Sequence, residues 1–267
     1  MTTLNNSICQ NFQLSYLPFL ERSKAYFKYE QFQNNIDLLS SAFMSRQIVC
    51  ITGAAGSGKS SLIFYAVNDL DPSQFRVAGI ELSNPNKKAV YKTLAIKVGL
   101  KPAFNSDDIK RQLINFFDEE NAQGKFNTVV IDEAHTMSIP IFDELRSFYD
   151  EGNNFSLVLS GMPSLRNQLN IGVNQPLKQR IFLFLDCPGL TLSETKEYIN
   201  NQLTLAGAKV PIIDDKCFNF IHSVTSGVPR RINQLCYGGL LVTLKARDTI
   251  VSEETLKKVH ERLNYQV

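Results

Sequence analysis

Five short apolar runs recur along the first two thirds of the chain, and each is followed by a polar turn and a helix-like pattern. A continuous apolar run of this length is typical of a strand buried on both faces of a parallel sheet. The predicted strands span residues 47–52, 76–82, 128–131, 155–160 and 181–186. Between them, apolar residues recur every three or four positions, which predicts helices over residues 29–44, 59–68, 87–98, 106–120 and after Ser138. This alternation predicts an α/β fold, a parallel sheet flanked by helices.

The pattern changes after Pro188, where the predicted strands stop. Thr191-Leu-Ser-Glu194 fits a capping box that begins a helix, and three more helices are predicted over residues 214–224, 229–245 and 252–263. The first 28 residues are rich in aromatic side chains, which suggests a segment packed on a core: Phe12, Tyr16, Phe19, Tyr26 and Phe27. We therefore expect an N-terminal extension (1–28), an α/β core (29–188) and a small all-helical lid domain (189–267).

Composition excludes several classes of protein. The 267 residues are 43% hydrophobic and 20% charged, which is normal for a globular protein and excludes overall disorder. A formal charge of +2 gives no overall basic field, so a nucleic-acid site would have to be a local patch. The five cysteines are scattered without a Cys-x-x-Cys pair, so neither a disulfide framework nor a zinc site follows. With no secretory signal and no apolar run of about 20 residues, we expect a cytoplasmic protein without a membrane partner.

The strongest motif follows the first predicted strand. Gly53-Ala-Ala-Gly-Ser-Gly-Lys-Ser60 matches the pattern G-x-x-x-x-G-K-[ST]. Glycines let the backbone N–H groups surround a phosphate, while the helix that follows directs its positive end toward the anion. Lys59 can reach the β and γ phosphates, and the Ser60 hydroxyl can bind Mg²⁺. The predicted nucleotide-binding residues are Gly53, Ala54, Ala55, Gly56, Ser57, Gly58, Lys59, Ser60 and Ser61, and the predicted ligands are ATP and Mg²⁺.

A second motif, Val129-Val-Ile-Asp132-Glu133-Ala-His135, places acids at the end of a buried strand. Such a strand end lies beside the phosphate site of a parallel sheet. Asp132 would hold Mg²⁺, and Glu133 would orient and polarise the attacking water. For His135 we expect a hydrogen-bonding role rather than direct catalysis. The string Asp-Glu-Ala-His also occurs in two-lobed helicases, but the residues after 188 predict helices rather than a second lobe.

Three further polar residues complete the candidate site. Ser160 ends a predicted strand and could contact the γ phosphate or the attacking water. The alternative interpretation is that it has only a structural role at the strand end. Arg180 precedes the next strand and could act as an arginine finger on a neighbouring subunit, or form a surface salt bridge. Arg230 begins a helix of the lid, where an arginine is unfavourable to the helix dipole, and could reach the γ phosphate.

These motifs, together with Leu177-Lys-Gln-Arg-Ile181 and Gly227-Val-Pro-Arg-Arg-Ile-Asn233, resemble the AAA+ P-loop ATPases of the ExeA-like group. That group includes the general secretion pathway protein A ATPases and the transposition ATPases related to MuB, TnsC and TniB. The resemblance runs from about residue 26 onward, and it implies ATP hydrolysis at subunit interfaces, with Ser160 as sensor 1 and Arg230 as sensor 2. One position departs: Met162 stands where the group usually has Gln, which counts against Ser160 as a sensor.

The resemblance leaves two biological roles open. Secretion ATPases of this group imply a transmembrane segment and a wall-binding domain after the ATPase, whereas this sequence ends at Val267, directly after the predicted lid. A free-standing ATPase fits the transposition accessories better. Resemblance to these accessory proteins implies a homo-oligomer in a ring or filament. In its ATP state the oligomer would bind double-stranded DNA without sequence specificity and recruit a transposase. The alternative is a nucleotide-gated ATPase of a secretion or pilus system that acts through a protein partner.

A local charge pattern is compatible with DNA. No acidic residue occurs between Leu82 and Ser106, while five lysines do: Lys87, Lys88, Lys92, Lys97 and Lys101. Repeated around an oligomer, such a patch could follow the phosphate backbone of DNA. The alternative interpretation is an ordinary solvated lysine face. The absence of a base-reading motif gives no reason to expect sequence-specific readout.

Overall fold

The computed structural model describes residues 3–20, 27 and 29–264. Over these residues the chain forms two compact units. The helical unit comprises Met1–Tyr29, Ala55–Ser57 and Pro188–Val267, and the sheet unit comprises Glu30–Ala54 and Gly58–Cys187. The three domains that the sequence suggests stay a prediction.

The sheet unit is built on five parallel strands in the order β2-β3-β4-β1-β5. Their bounds are β1 Ile48–Gly53, β2 Phe75–Glu81, β3 Phe126–Asp132, β4 Phe155–Gly161 and β5 Ile181–Cys187. All five predicted strands are confirmed, as is the α/β fold class. Both β1 and β4 are buried along their whole length, because helices cover the faces of a parallel sheet.

Strand order determines which strand ends meet. β1 lies between β4 and β5, so Thr52 is in register with Gly161 on one side and Asp186 on the other. β3 lies next to β4, with Ile131 opposite Leu159. In a parallel sheet all carboxyl ends lie at the same edge. The polar residues that end β1, β3, β4 and β5 are therefore brought together.

Seven α-helices accompany these strands: α2 Glu30–Met44, α3 Lys59–Asn68, α4 Lys87–Lys97, α5 Ser106–Ala122, α6 Ile139–Gly152, α7 Ser164–Leu169 and α8 Gln175–Lys178. Asn86 and Asn105 cap α4 and α5, each accepting a backbone N–H through its side chain. The predicted helices α2 to α6 are confirmed. The short helices α7 and α8, and two 3-10 turns at Ala134–Thr136 and Gly172–Asn174, were not predicted because so few residues carry little periodic signal.

An aromatic cluster holds α4, α5 and α6 against β4. The Phe148 and Phe155 ring centroids are 4.7 Å apart, Phe117 lies 5.1 Å from Phe155, and Tyr91 lies 5.2 Å from Phe148. All four side chains are almost fully buried. Truncating one such ring typically costs about 3–5 kcal/mol, so this cluster fixes the helices that position the loop between α4 and α5.

The helical unit contains α1 Thr3–Asn11, α9 Leu192–Leu205, α10 Cys217–Thr225, α11 Pro229–Lys245 and α12 Glu253–Asn264. The predicted capping box is present: Thr191 and Glu194 exchange side-chain and backbone hydrogen bonds at the start of α9. Helix α1 was not predicted; its Ile8 and the following Phe12 are buried with the C-terminal helices. The predicted packing role of Tyr26 lies outside the described residues.

Two glycines permit a close backbone crossing within the helical unit. The Leu190 N–H donates to the Gly227 carbonyl at 2.8 Å, and Gly227 has a φ of 68°. A Cβ on Gly227 would lie 1.9 Å from the Leu190 oxygen, and one on Gly189 would lie 1.9 Å from the Ser226 oxygen. Because these obstacles are backbone atoms, no side chain can be accommodated at either position.

Candidate nucleotide-binding site

The glycine-rich motif forms the turn between β1 and α3. Gly56 and Gly58 have φ angles of 79° and 102°, which side-chain-bearing residues rarely adopt. Gly58 is the N-cap of α3 and makes no side-chain capping bond. The N-terminal N–H groups of a helix lack partners within the helix, so this end of α3 offers donors and a positive dipole to an anion.

Lys59 is almost fully buried although its side chain carries a charge. Its ammonium donates to the carbonyl oxygens of Gly53 at 3.0 Å and Ala54 at 3.1 Å. These two bonds stabilise the loop and satisfy two of the three donors of the ammonium. The charge of Lys59 therefore lies at the loop that the sequence assigns to phosphate.

Asp132, at the end of β3, is the centre of the polar cluster. The Ser60 hydroxyl donates to Asp132 Oδ2 at 3.0 Å, and the Ser160 hydroxyl donates to Oδ1 at 2.8 Å. The Glu133 N–H also donates to Oδ1, at 3.0 Å. Three predicted site residues from β3, α3 and β4 thus meet at one carboxylate. Ser160 is fully buried and bound to Asp132, while its predicted contact with phosphate or water stays a prediction.

Glu133 follows in the left-handed region, with a φ of 53°. A non-glycine residue in this region is uncommon and is often found at functional sites. Its partly exposed carboxylate lies 3.6 Å from His135 Nδ1. His135 Nδ1 also accepts the Met162 N–H at 3.3 Å, and Gln168 donates to the His135 carbonyl at 2.8 Å. The His135 ring therefore accepts one hydrogen bond from the backbone, and its role at the site stays a prediction.

The donor set at Asp132 fits magnesium. Mg²⁺ prefers oxygen ligands and is usually held by one or two carboxylates, with water and phosphate oxygens completing the shell. Ser60 and Asp132 supply a hydroxyl and a carboxylate that already lie within hydrogen-bonding distance of each other. No group of three or more His, Cys, Asp and Glu side chains that could hold a metal occurs among the described residues. Water and nucleotide oxygens would complete the shell of an ion bound by Ser60 and Asp132.

Arg180 lies immediately before β5, as predicted, and makes contacts within its own chain. Its guanidinium pairs with Asp150 of α6 and donates to the Pro176 carbonyl at 2.6 Å. Asp150 also pairs with Arg146 at 2.9 Å. The salt bridge that was the alternative for Arg180 is thus present in the isolated chain, and its predicted action on a neighbouring subunit stays a prediction.

Arg230 is the second residue of α11. Within the helical unit, its N–H donates to the Gly56 carbonyl at 3.4 Å. A Cβ on Gly56 would lie 2.4 Å from the Arg230 Cβ, so this approach requires glycine. The role of Arg230 toward the γ phosphate stays a prediction.

The five lysines between Leu82 and Ser106 do not form a uniform cationic patch. Lys87 is paired with Asp107 at 2.8 Å and with Glu144 at 3.1 Å, and these contacts raise the pKa of its ammonium. The local sequence concealed these pairs because Asp107 and Glu144 lie beyond the acid-free segment. The other four lysines are exposed and have no ion pair with a described residue: Lys88, Lys92, Lys97 and Lys101.

Sequence reasoning missed a second carboxylate at the same sheet edge. Asp186, near the end of β5, accepts the Thr52 hydroxyl at 2.7 Å and lies 3.0 Å from the Arg166 guanidinium. Thr52 directly precedes Gly53, so this network connects α7 to the start of the glycine-rich turn. The available signal was an acid ending a predicted strand, the same signal that identified Asp132.

Four of the five cysteines are buried, and Cys9 is half-buried. Cys50 and Cys236 are fully buried and all five cysteines are free. Burial raises the pKa of the Cys50 thiol to about 12 and that of Cys187 to about 11. These thiols stay protonated near neutral pH and have little nucleophilic character.

Comparison with known proteins identifies the fold and one relative. Residues 42–169 match the protein family described as AAA domain. General secretion pathway protein A of Aeromonas hydrophila is 26% identical over 201 residues, which cover 72% of this chain and 36% of that protein. The chain thus spans about a third of that relative's length.

Solved structures of AAA+ proteins superpose on most of the chain. The Aeropyrum pernix ORC2 protein in its ADP form has a TM-score of 0.66 and 14% identity, and covers 91% of this chain and 71% of its own. The Aeropyrum pernix ORC1 protein in complex with DNA has a TM-score of 0.66 and 14% identity, and the match covers 92% of this chain and 68% of that one. The Thermotoga maritima RuvB Holliday junction branch migration motor has a TM-score of 0.59 and 19% identity, with coverages of 89% and 70%.

Among the described residues, no helix has the length and apolar character needed to cross a membrane. The glycine-rich turn and the β3 carboxylates both lie within the residues that match the family. Residues 42–169 therefore match the AAA domain family, and the chain has a P-loop NTPase fold of the AAA+ type.

Proposed function

We propose that the protein is a Mg²⁺-dependent ATPase that converts ATP and water to ADP and phosphate. The observation that carries this proposal is the meeting of Ser60, Ser160 and Asp132 beside the turn that contains Lys59. These residues lie at the carboxyl edge of a parallel sheet, where α/β folds bind their ligands.

The residues of the turn would bind the phosphates of ATP. Lys59 exchanges the carbonyl oxygens of Gly53 and Ala54 for phosphate oxygens, and the N-terminal N–H groups of α3 donate to the same anion. Ser60 and Asp132 would hold Mg²⁺, which neutralises charge that develops on the β and γ phosphates. Ser160 keeps the Asp132 carboxylate in its orientation.

Glu133 would orient and polarise the attacking water. Its neighbour Asp132 already accepts three hydrogen bonds, whereas the Glu133 carboxylate is partly exposed at the same strand end. Phosphoryl transfer depends mainly on orientation and charge stabilisation, and a carboxylate beside the water supplies both. The His135 ring lies beside this carboxylate, with Nδ1 3.6 Å away.

Hydrolysis at a subunit interface would use Arg180 from a neighbouring subunit. For that purpose its guanidinium must leave Asp150, a partly exposed pair whose separation costs little. Formation of an ATP-bound homo-oligomer, in a ring or filament, would supply the compensating phosphate contact. Arg230 would report the γ phosphate to the helical unit.

We further propose that the ATP-bound oligomer binds double-stranded DNA without sequence preference, as a transposition accessory that binds target DNA and recruits a transposase. Four exposed lysines that have no ion pair with a described residue support a phosphate-binding surface: Lys88, Lys92, Lys97 and Lys101. Two of the structural neighbours are named for DNA, as an ORC1–DNA complex and as a branch migration motor. Because similarity to these two structures supports only the fold, the DNA proposal depends on the lysines.

One observation favours a second candidate function. The curated relative is a general secretion pathway protein, at 26% identity. The alternative is therefore a nucleotide-gated ATPase that acts on a protein partner of a secretion or pilus assembly system. In that case the lysines form a solvated surface and DNA has no effect on the protein.

Two measurements test these proposals separately. Phosphate release by the wild type, compared with Lys59→Ala, tests the ATPase: the variant loses nucleotide binding or turnover, and equal rates would exclude the assigned site. Fluorescence anisotropy on random-sequence duplex DNA, with ATP, ADP or no nucleotide and at two salt concentrations, tests the DNA role. Binding that requires ATP and weakens with salt supports it, because counterion release requires phosphate contacts. No binding at low salt, with ATP bound, excludes it.

A further inference from the structure

One aromatic side chain is directed almost entirely into solvent. Phe104 lies in the loop between α4 and α5, and 90% of its surface is exposed. The next most exposed large apolar side chain among the described residues is Val210, at 69%. Because single exposed apolar side chains are common on protein surfaces, the case for a binding role depends on what surrounds the ring.

The loop that carries Phe104 is held firmly. The Leu100 N–H donates to the Ala95 carbonyl at 2.8 Å, and the Ala103 N–H donates to Gln112 Oε1 at 2.9 Å. Asn105 then caps α5. The residues on both sides of Phe104 are therefore fixed to α4 and α5, and the ring is presented outward by an ordered backbone.

The surroundings of the ring are cationic. The Lys88 ammonium lies 4.8 Å from the centre of the Phe104 ring. Lys92 lies one helical turn after Lys88 on α4, and Lys101 precedes Phe104 in the loop; both are exposed.

The nearby acids are already paired. Asp107 pairs with Lys87 at 2.8 Å, and Asp108 pairs with Arg111 at 2.7 Å. We call the surface formed by Lys88, Lys92, Lys101 and Phe104 the Phe104 surface. It combines positive charges that have no ion pair with a described residue and an exposed ring with the Lys88 ammonium over one face.

We propose that the Phe104 surface binds a single strand of DNA, with the ring stacked on one base and the three lysines on the adjacent phosphates. An aromatic ring among cations is the combination that binds single strands, because every base offers a π face and every nucleotide a phosphate. In intact duplex DNA the base faces are already stacked, and the ring would gain nothing. This inference rests on the proposed DNA-binding function and extends it from duplex DNA to an exposed base.

The chain contains no tryptophan, which provides a direct test. Phe104→Trp introduces a single indole that can still stack. On adding a thymine oligonucleotide with ATP present, its emission is quenched if the ring stacks on a base. Phe64→Trp, at another exposed phenylalanine, on α3, is the matched control and stays unquenched. Unquenched emission from Phe104→Trp while the oligonucleotide is bound would overturn the proposal.

Affinity provides the second readout. Phe104→Ala weakens binding of the thymine oligonucleotide about tenfold, within the range for loss of one stacked base, and Phe104→Trp retains wild-type affinity. On an abasic strand of equal length, Phe104→Ala and wild type bind equally, because the phosphates remain. Lys92→Ala weakens binding to both strands and lowers the salt dependence.

The two proposals fail in different ways. If wild type binds neither duplex nor single strand with ATP bound, the proposed DNA function fails and this inference fails with it. If wild type binds DNA but Phe104→Ala leaves the affinity for both the thymine oligonucleotide and the abasic strand unchanged, only the inference fails. Phe104 is then assigned to a protein contact. The rate of ATP hydrolysis without DNA is unchanged by Phe104→Ala, which shows that the variant is folded.

Discussion

Removal of a single hydroxyl tests how the candidate magnesium site is built. Ser160→Ala deletes the fully buried group that donates to Asp132 Oδ1 at 2.8 Å. The carboxylate retains the Glu133 N–H on Oδ1 and the Ser60 hydroxyl on Oδ2. The substitution therefore leaves both proposed magnesium ligands, Ser60 and Asp132, in place. It removes only one of the hydrogen bonds that orient Asp132.

The magnitude follows from what the hydroxyl does. A hydrogen bond to a charged group contributes about 1.5–3 kcal/mol, and loss of a group that orients a metal ligand typically lowers metal affinity 10- to 100-fold. Because Oδ1 keeps its second donor, we expect the lower end of this range. The Mg²⁺ concentration for half-maximal ATP hydrolysis should rise about tenfold in Ser160→Ala, equivalent to about 1.4 kcal/mol.

Another serine of the same strand provides the control. Ser156 is fully buried in β4, and its hydroxyl donates to the carbonyls of Ala42 and Phe43 at 3.2 and 3.0 Å. Ser156→Ala should lower the free energy of unfolding by about 1 kcal/mol, somewhat less than Ser160→Ala, but leave the Mg²⁺ dependence unchanged. A magnesium titration of phosphate release, paired with thermal unfolding, separates the effects. A wild-type magnesium midpoint in Ser160→Ala, or an equal shift in both variants, would refute this reasoning.

Three further predictions address the site and the fold. Glu133→Gln should bind ATP normally and hydrolyse it at least about a hundredfold more slowly; full turnover would remove Glu133 from its role. Arg180→Ala should bind ATP but hydrolyse it about a thousandfold more slowly, and mixing it with Glu133→Gln should restore part of the activity if the arginine acts between subunits. Gly227→Ala should unfold at far lower denaturant than Gly99→Ala, because both have positive φ but only Gly227 faces the Leu190 oxygen; equal midpoints would exclude crowding as the cause.

Local features of the chain could be predicted because their physical causes act over a few residues. The apolar runs, the glycine-rich turn and the Thr191–Glu194 capping box each depend on residues only a few positions apart in sequence. Side-chain spacing, φ preference and hydrogen bonds to adjacent N–H groups determine such elements. Helix α1 escaped prediction because much of its stability comes from burial of Ile8 against distant helices.

Contacts between distant residues required the folded structure. Ser160 and Ser60 are 28 and 72 residues from Asp132 in sequence, and both meet its carboxylate only because the strand order is β3-β4-β1. Periodicity reports that a strand is buried, but it carries no information about which strand lies beside it. The same reason concealed the pairing of Arg180 with Asp150 and the exposure of Phe104. A sequence pattern records the preference of each residue for water or for the interior, whereas long-range packing determines which preferences are satisfied, and by which partner.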